Sequence, residues 1–199
     1  MSIFIISSML LLSGCIGANE TTTVTPPTTT APSIDLNVLN EYLTYENLEY
    51  NFKISYPQEW ELIEDYTDMI VVAFISPFRG NADFFNESLG VGIQTVPDPS
   101  NPISLEQYTE LYKILLMASI PNCIIVNEKP YTLAGYPAYI VTHTGTQNML
   151  GFSLSVKTRV CYMLVDNKLY SFIYTASGDD NYMYYLLTIT KMIDSFEFM

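Results

Sequence analysis

Four kinds of residue in this sequence have chemistry within reach: one His, three Cys, a run of acids, and short Gly/Ser motifs. His143 is the only His, and a general base or metal ligand needs an orienting partner. The sequence around it supplies none, so His143 reads as a structural or surface residue. Glu59, Glu61, Glu64, Asp65 and Asp68 crowd into ten positions, and hard cations such as calcium or manganese take oxygen ligands of this kind. Their spacing is not that of an EF-hand loop, so two readings stand: a solvated acidic face, or a divalent site at Glu61, Glu64, Asp65 and Asp68. Gly151-Phe152-Ser153-Leu154-Ser155 lacks the closing Gly of a nucleophile elbow. Gly90-Val91-Gly92 lacks the third Gly of a dinucleotide fingerprint and reads as close packing of a helix over a strand. No catalytic residue emerges, and the expectation is a protein that is not an enzyme and has no resident cofactor.

Cys15 has a different meaning. Leu12-Ser13-Gly14-Cys15 follows the apolar run from Ile3 to Leu12 and matches a lipobox, where small residues precede the Cys whose sulfur takes the lipid. The apolar stretch from Ile3 to Ile16 is 14 residues, against about 20 for a spanning helix. Residues 1–15 are therefore expected to be a lipoprotein signal, with lipid on Cys15 holding the protein at the membrane, outside the cytoplasm. One feature departs from the pattern: no Lys or Arg stands ahead of the apolar run. Residues 16–33 are a Thr/Pro-rich linker, and residues 34–199 are the expected folded domain. Asn19-Glu20-Thr21 and Asn86-Glu87-Ser88 are glycosylation sequons. With Cys15 lipidated, Cys123 and Cys161 remain either as a disulfide pair or as buried thiols.

Charge narrows the partners. Eight basic against 21 acidic residues give a net charge of -13, which repels nucleic acid and anionic membrane surfaces. From Ile34 to Asp68 nine acids face the single base Lys53, so an electrostatic partner would meet the first half of the domain. Hydrophobic residues make up 49% of the chain, enough to fold a single packed domain.

The elements that must position these residues follow from periodicity. Leu39 to Leu43 reads as a short helix. Asn51 to Tyr56 alternates and stops at Pro57, Met69 to Ile75 is a β-branched apolar run, and Leu89 to Val96 is a further strand. Phe78 to Ser88 reads as a loop. Ser104-Leu105-Glu106-Gln107 is a capping box opening a helix to about Ser119. Strands follow over Cys123 to Asn127, around a Gly135 turn, and over Phe152 to Val160. The Asp166-Asn167 turn leads into Leu169 to Thr175, and Gly178-Asp179-Asp180 opens a final helix. Strands, helix, strands, helix make an α+β fold: an antiparallel sheet of about seven strands with helices packed on it.

At these residues a resemblance appears. Phe52-Lys53-Ile54-Ser55-Tyr56-Pro57-Gln58-Glu59-Trp60 resembles the opening motif of the PsbP family of extrinsic photosystem proteins. Leu133-Ala134-Gly135-Tyr136-Pro137-Ala138-Tyr139 resembles that family's hairpin, Lys168-Leu169-Tyr170 its strand after the turn, and Met192-Ile193-Asp194-Ser195-Phe196 its closing helix. The resemblance implies an α/β/α sandwich over roughly Tyr45 to Phe198. The Thr-rich linker behind a lipobox resembles archaeal surface lipoproteins, which favours the non-photosynthetic branch. The matched residues are structural and carry over no catalytic or metal site.

The 16 Tyr are the most unusual count. Tyr offers broad amphipathic contact area, and with Tyr182, Tyr184 and Tyr185 spread around one helix, at least one must reach a surface or groove. The expected function is a non-enzymatic accessory module binding a protein partner at the cell surface. The alternative is a binder of a small ligand or divalent cation in a groove between helix and sheet.

Overall fold

The computed structural model describes residues 41–79, 85–96, 103–149 and 152–199. Ten strands and two helices are formed by these residues. Seven of the strands make one antiparallel sheet: β3 (Glu61–Thr67), β4 (Ile70–Ile75), β5 (Ser88–Thr95), β9 (Lys168–Ser177), β8 (Phe152–Val165), β7 (Tyr136–Met149) and β6 (Ile124–Leu133), in that spatial order. A second sheet joins β1 (Tyr42–Asn47), β2 (Phe52–Pro57) and β10 (Glu197–Phe198). The helices are α1 (Leu105–Ser119) and α2 (Gly178–Asp194).

Alternation along the central strands builds two cores. On β8, Cys161, Met163 and Val165 face one side while Val160 and Tyr162 face the other. On β9, Tyr170, Phe172 and Tyr174 join the first set, and Leu169 and Ile173 the second. The first side is covered by α2 together with the small sheet, through Phe52, Ile54, Tyr182, Ile189 and Phe196. The second is covered by α1, through Tyr108, Tyr112 and Leu116. The expected α+β sandwich is thus present, with helices on both faces of the large sheet.

Three local expectations need correcting, and one segment with no expected element forms a strand. The helix expected over Leu39 to Leu43 is not formed from residue 42 onward, where β1 begins. There Tyr45 pairs with Ile54 of β2 and buries its ring against Phe74. Residues 39 and 40 lie outside the described region. The acidic run after Trp60 is partly a strand, β3, because Leu62 and Ile63 pair with Phe74 and Ala73 while the carboxylates stay on the outer edge. The strand expected from Cys123 to Asn127 runs on through Pro130 to Leu133. Proline is tolerated there because β6 is the last strand of the sheet. Finally, Gly90 and Gly92 admit a neighbouring strand, not a helix. A Cβ on Gly92 would stand 2.8 Å from the Met69 carbonyl and 2.7 Å from Ser171 Oγ.

Candidate functional site

The groove between α1 and the sheet is the first place to look for a ligand. The capping box holds the start of α1: Ser104 Oγ accepts from the Gln107 amide at 3.1 Å, and Gln107 Oε1 accepts from the Ser104 amide at 2.9 Å. Spacing of three and four residues then turns Tyr108, Tyr112 and Leu116 onto the sheet. Tyr108 meets Tyr162 edge-on at 5.1 Å and stacks with Tyr112 at 6.1 Å. The Tyr162 hydroxyl donates to Thr109 Oγ1 at 2.8 Å, and that hydroxyl donates to the Leu105 carbonyl. Burial raises the phenol pKa of all three Tyr well above the ordinary value, so they stay neutral. The space left at the mouth, beside Met69, Gln94 and Ser171, is about 30 Å³. That is room for about two waters, whereas metabolite sites run to roughly 300 Å³ and more.

On the other face, α2 divides the three Tyr singled out from the sequence. Tyr182 and Tyr185 are core residues. Tyr182 stacks on Tyr174 at 5.1 Å, and Tyr185 meets Trp60 edge-on at 5.4 Å. Only Tyr184 faces outward, with 58% of its surface exposed. Met183 and Leu187 of the same helix are exposed as well, as is Phe78 in the segment after β4. The Arg79 guanidinium lies 3.7 Å over the Tyr184 ring, and its Nη1 donates to Asn181 Oδ1 at 2.7 Å. Asn181 Nδ2 donates in turn to Ser177 Oγ, whose hydroxyl points to Glu87 Oε1 at 3.3 Å. Glu87, fully buried, thus anchors a polar chain that fixes the exposed aromatic. The sequence gives no sign of this role, because an acid next to a strand reads as exposed. In the neighbouring sequon, Asn86 Nδ2 donates to the Ser76 carbonyl and Ser88 is buried. Cys15 and the Asn19 sequon lie outside the described residues.

On the α1 side, Ile114 and Met117 stand exposed one helical turn apart on α1, whereas Ile124, also exposed, pairs with Thr144 and faces away from α1. Lys113 links α1 to β6, pairing with Glu128 at 3.0 Å.

The remaining residues singled out from the sequence do not assemble into a site. Glu61, Glu64, Asp65 and Asp68 are all exposed along β3 and its turn. Glu64 accepts a hydrogen bond from the Tyr45 hydroxyl at 2.8 Å. Asp65 sits in a left-handed bulge at φ 48°. Strand alternation and the bulge send the carboxylates in different directions, and the described residues contain no group of three or more metal-ligating side chains. The divalent cage considered for these four acids is therefore not formed. Cys123 and Cys161 are both free thiols. They lie on opposite sides of the large sheet, Cys123 beside the α1 core and Cys161 inside the α2 core, so the disulfide alternative is excluded by the sheet between them. Burial pushes the Cys161 thiol up to about 12, which removes the thiolate that nucleophilic chemistry requires, and it raises that of Cys123 as well. His143, in the middle of β7, is buried, and burial lowers its pKa to about 4.

Known structures share this architecture. Cyanobacterial PsbP (CyanoP) from Synechocystis sp. PCC 6803 matches with a TM-score of 0.54 at 14% identity, over 87% of this chain and 100% of its own. LpqN of Mycobacterium tuberculosis, described as involved in cell envelope biogenesis, matches with a TM-score of 0.55 at 11% identity, over 79% of this chain and 90% of its own. The Saccharomyces cerevisiae Ran-binding protein Mog1p matches with a TM-score of 0.52 at 12% identity, over 80% and 96%. No protein-family model and no curated protein sequence matches the chain. The likeness is one of fold, and it agrees with the PsbP-like sandwich expected from the motifs.

Proposed function

We propose that this protein is a non-enzymatic binding module, held by lipid on Cys15 at the outer face of a membrane and acting through protein contacts on its outer layers. The observation that carries this reading is the contrast between interior and surface. The groove under α1 holds about 30 Å³, while large apolar side chains stand exposed on the outer faces of both α2 and α1. Such clusters on a soluble domain mark interaction surfaces. Binding of a small ligand, or of calcium or manganese, has less support, since the groove under α1 is small and the described residues contain no group of three or more metal-ligating side chains. The fold is compatible with the reading: one structural neighbour is a Ran-binding protein and another serves the cell envelope. No helix among the described residues is long and apolar enough to cross a membrane; the anchor in this reading is the lipobox Leu12-Ser13-Gly14-Cys15.

The test is cross-linking with mass spectrometry on native membranes, comparing wild type, Cys15→Ala and the double variant Ile114→Ser/Met117→Ser. The reading predicts membrane-fraction protein with a recurrent partner, release of the protein by Cys15→Ala, and loss of the partner in the double variant. Membrane-bound protein that captures nothing reproducibly would overturn the module reading, and Cys15→Ala protein still in the membrane fraction would overturn the anchor.

A further inference from the structure

The exposed stripe of α2 has an internal symmetry. Its outward positions are Asp180, Met183, Tyr184, Leu187, Lys191 and Asp194, at the alternating spacings of three and four that keep residues on one helix face. The midpoint between Tyr184 and Leu187 falls between Tyr185 and Leu186. The midpoint between Asp180 and Lys191 falls at the same place. When two such helices lie antiparallel about a two-fold axis through that point, Tyr184 of one faces Leu187 of the other, and Asp180 faces Lys191. Both contacts then occur twice, as a two-fold interface requires. The antiparallel arrangement also sets opposite helix-dipole ends side by side.

The central residue is already prepared for such a contact. Tyr184 is clamped between the Arg79 guanidinium at 3.7 Å and the ring of Tyr185, which it meets edge-on at 4.7 Å. An aromatic held in this way loses little conformational freedom on association. Arg79 brings a further cation to a face whose acids would otherwise outnumber its bases. Each copy carries a net charge of -13, but at 0.15 M salt a Debye length of about 8 Å screens that long-range repulsion more than it weakens pairs in contact.

We infer that the outer face of α2 is the docking surface for a second copy of this chain, packed antiparallel through Tyr184 and Leu187 and registered by reciprocal Asp180–Lys191 pairs. This deepens the binding-module reading, since it gives one of the two outer faces its partner and leaves the outer face of α1 for a different protein.

Sedimentation equilibrium at 0.15 M salt tests it, with circular dichroism confirming that each variant is folded. Wild type should dimerise. Leu187→Asp should abolish the dimer, and Lys191→Asp should weaken it at least tenfold. Combining Asp180→Lys with Lys191→Asp should restore it, since the pair is then reversed on both copies. A wild type that stays monomeric at 0.5 mM, a dimer that survives Leu187→Asp, or a double reversal that fails to recover association would each overturn the inference. None of these outcomes touches the partner captured through Ile114 and Met117, so the two proposals fail separately. Flotation of monomeric wild type with phosphatidylcholine vesicles, lost on Leu187→Asp, would overturn it in favour of a lipid surface.

Discussion

Ser88, Thr175, Thr158 and His143 lie side by side on β5, β9, β8 and β7, all buried on the α1 face of the sheet. The two Thr hydroxyls meet at 3.4 Å. His143 ends this polar row as a neutral imidazole, its pKa lowered by burial to about 4 from the ordinary 6.5. Between these values the unfolded chain takes up a proton that the folded chain excludes. The contribution of His143 to stability is therefore complete above about pH 6.5 and is withdrawn as the pH falls toward 4. At about 1.4 kcal/mol per pH unit, the loss by pH 4.5 is roughly 2.5 kcal/mol. Urea unfolding at pH 7 and pH 4.5 should show wild type losing about that much more stability than His143→Leu, and equal losses would contradict a buried neutral His. The sequence left His143 as structural or surface, because only the strand register decides which side chains of β7 are covered. The cysteines show the same limit: two Cys in a sequence can pair, and only the sheet lying between them shows that these do not.

At the level of elements, legibility followed the strength of local signals. The capping box at Ser104 and Gln107 has a specific chemistry, and the structure forms both of its hydrogen bonds. Removing the side-chain acceptor with Ser104→Ala should cost about 1 kcal/mol in urea unfolding. A change near zero would mean that the packing of Tyr108, Tyr112 and Leu116 alone fixes the start of α1. The Asp166-Asn167 turn was readable for a similar reason, since both residues adopt positive φ as a two-residue hairpin demands. Where local propensity is weak, tertiary pairing decides. Tyr42–Asn47 becomes a strand because β2 offers it an edge and a pocket for Tyr45. Glu61–Thr67 becomes a strand despite its acids because β4 supplies a partner and the edge position keeps the carboxylates in water.

For the whole molecule, the sandwich was legible because strand alternation, two amphipathic helices and the PsbP-like motifs agree. The contact surfaces were only half legible. That one of Tyr182, Tyr184 and Tyr185 must face outward follows from helix geometry. Which one does so depends on Tyr174 and Trp60, which engage the other two from distant parts of the chain. The chain from Glu87 to Arg79 that fixes Tyr184 joins three separate segments, a grouping that no local pattern announces. The central claim is that contacts are made by the outer layers and not within the groove. A photo-cross-linking side chain placed in turn at Met117, Leu187 and, at the mouth of the groove, Gln94 tests this in native membranes. The account predicts a heterologous adduct from Met117, a self-adduct at twice the chain mass from Leu187, and none from Gln94. Adducts confined to Gln94 would contradict it and return the function to the groove.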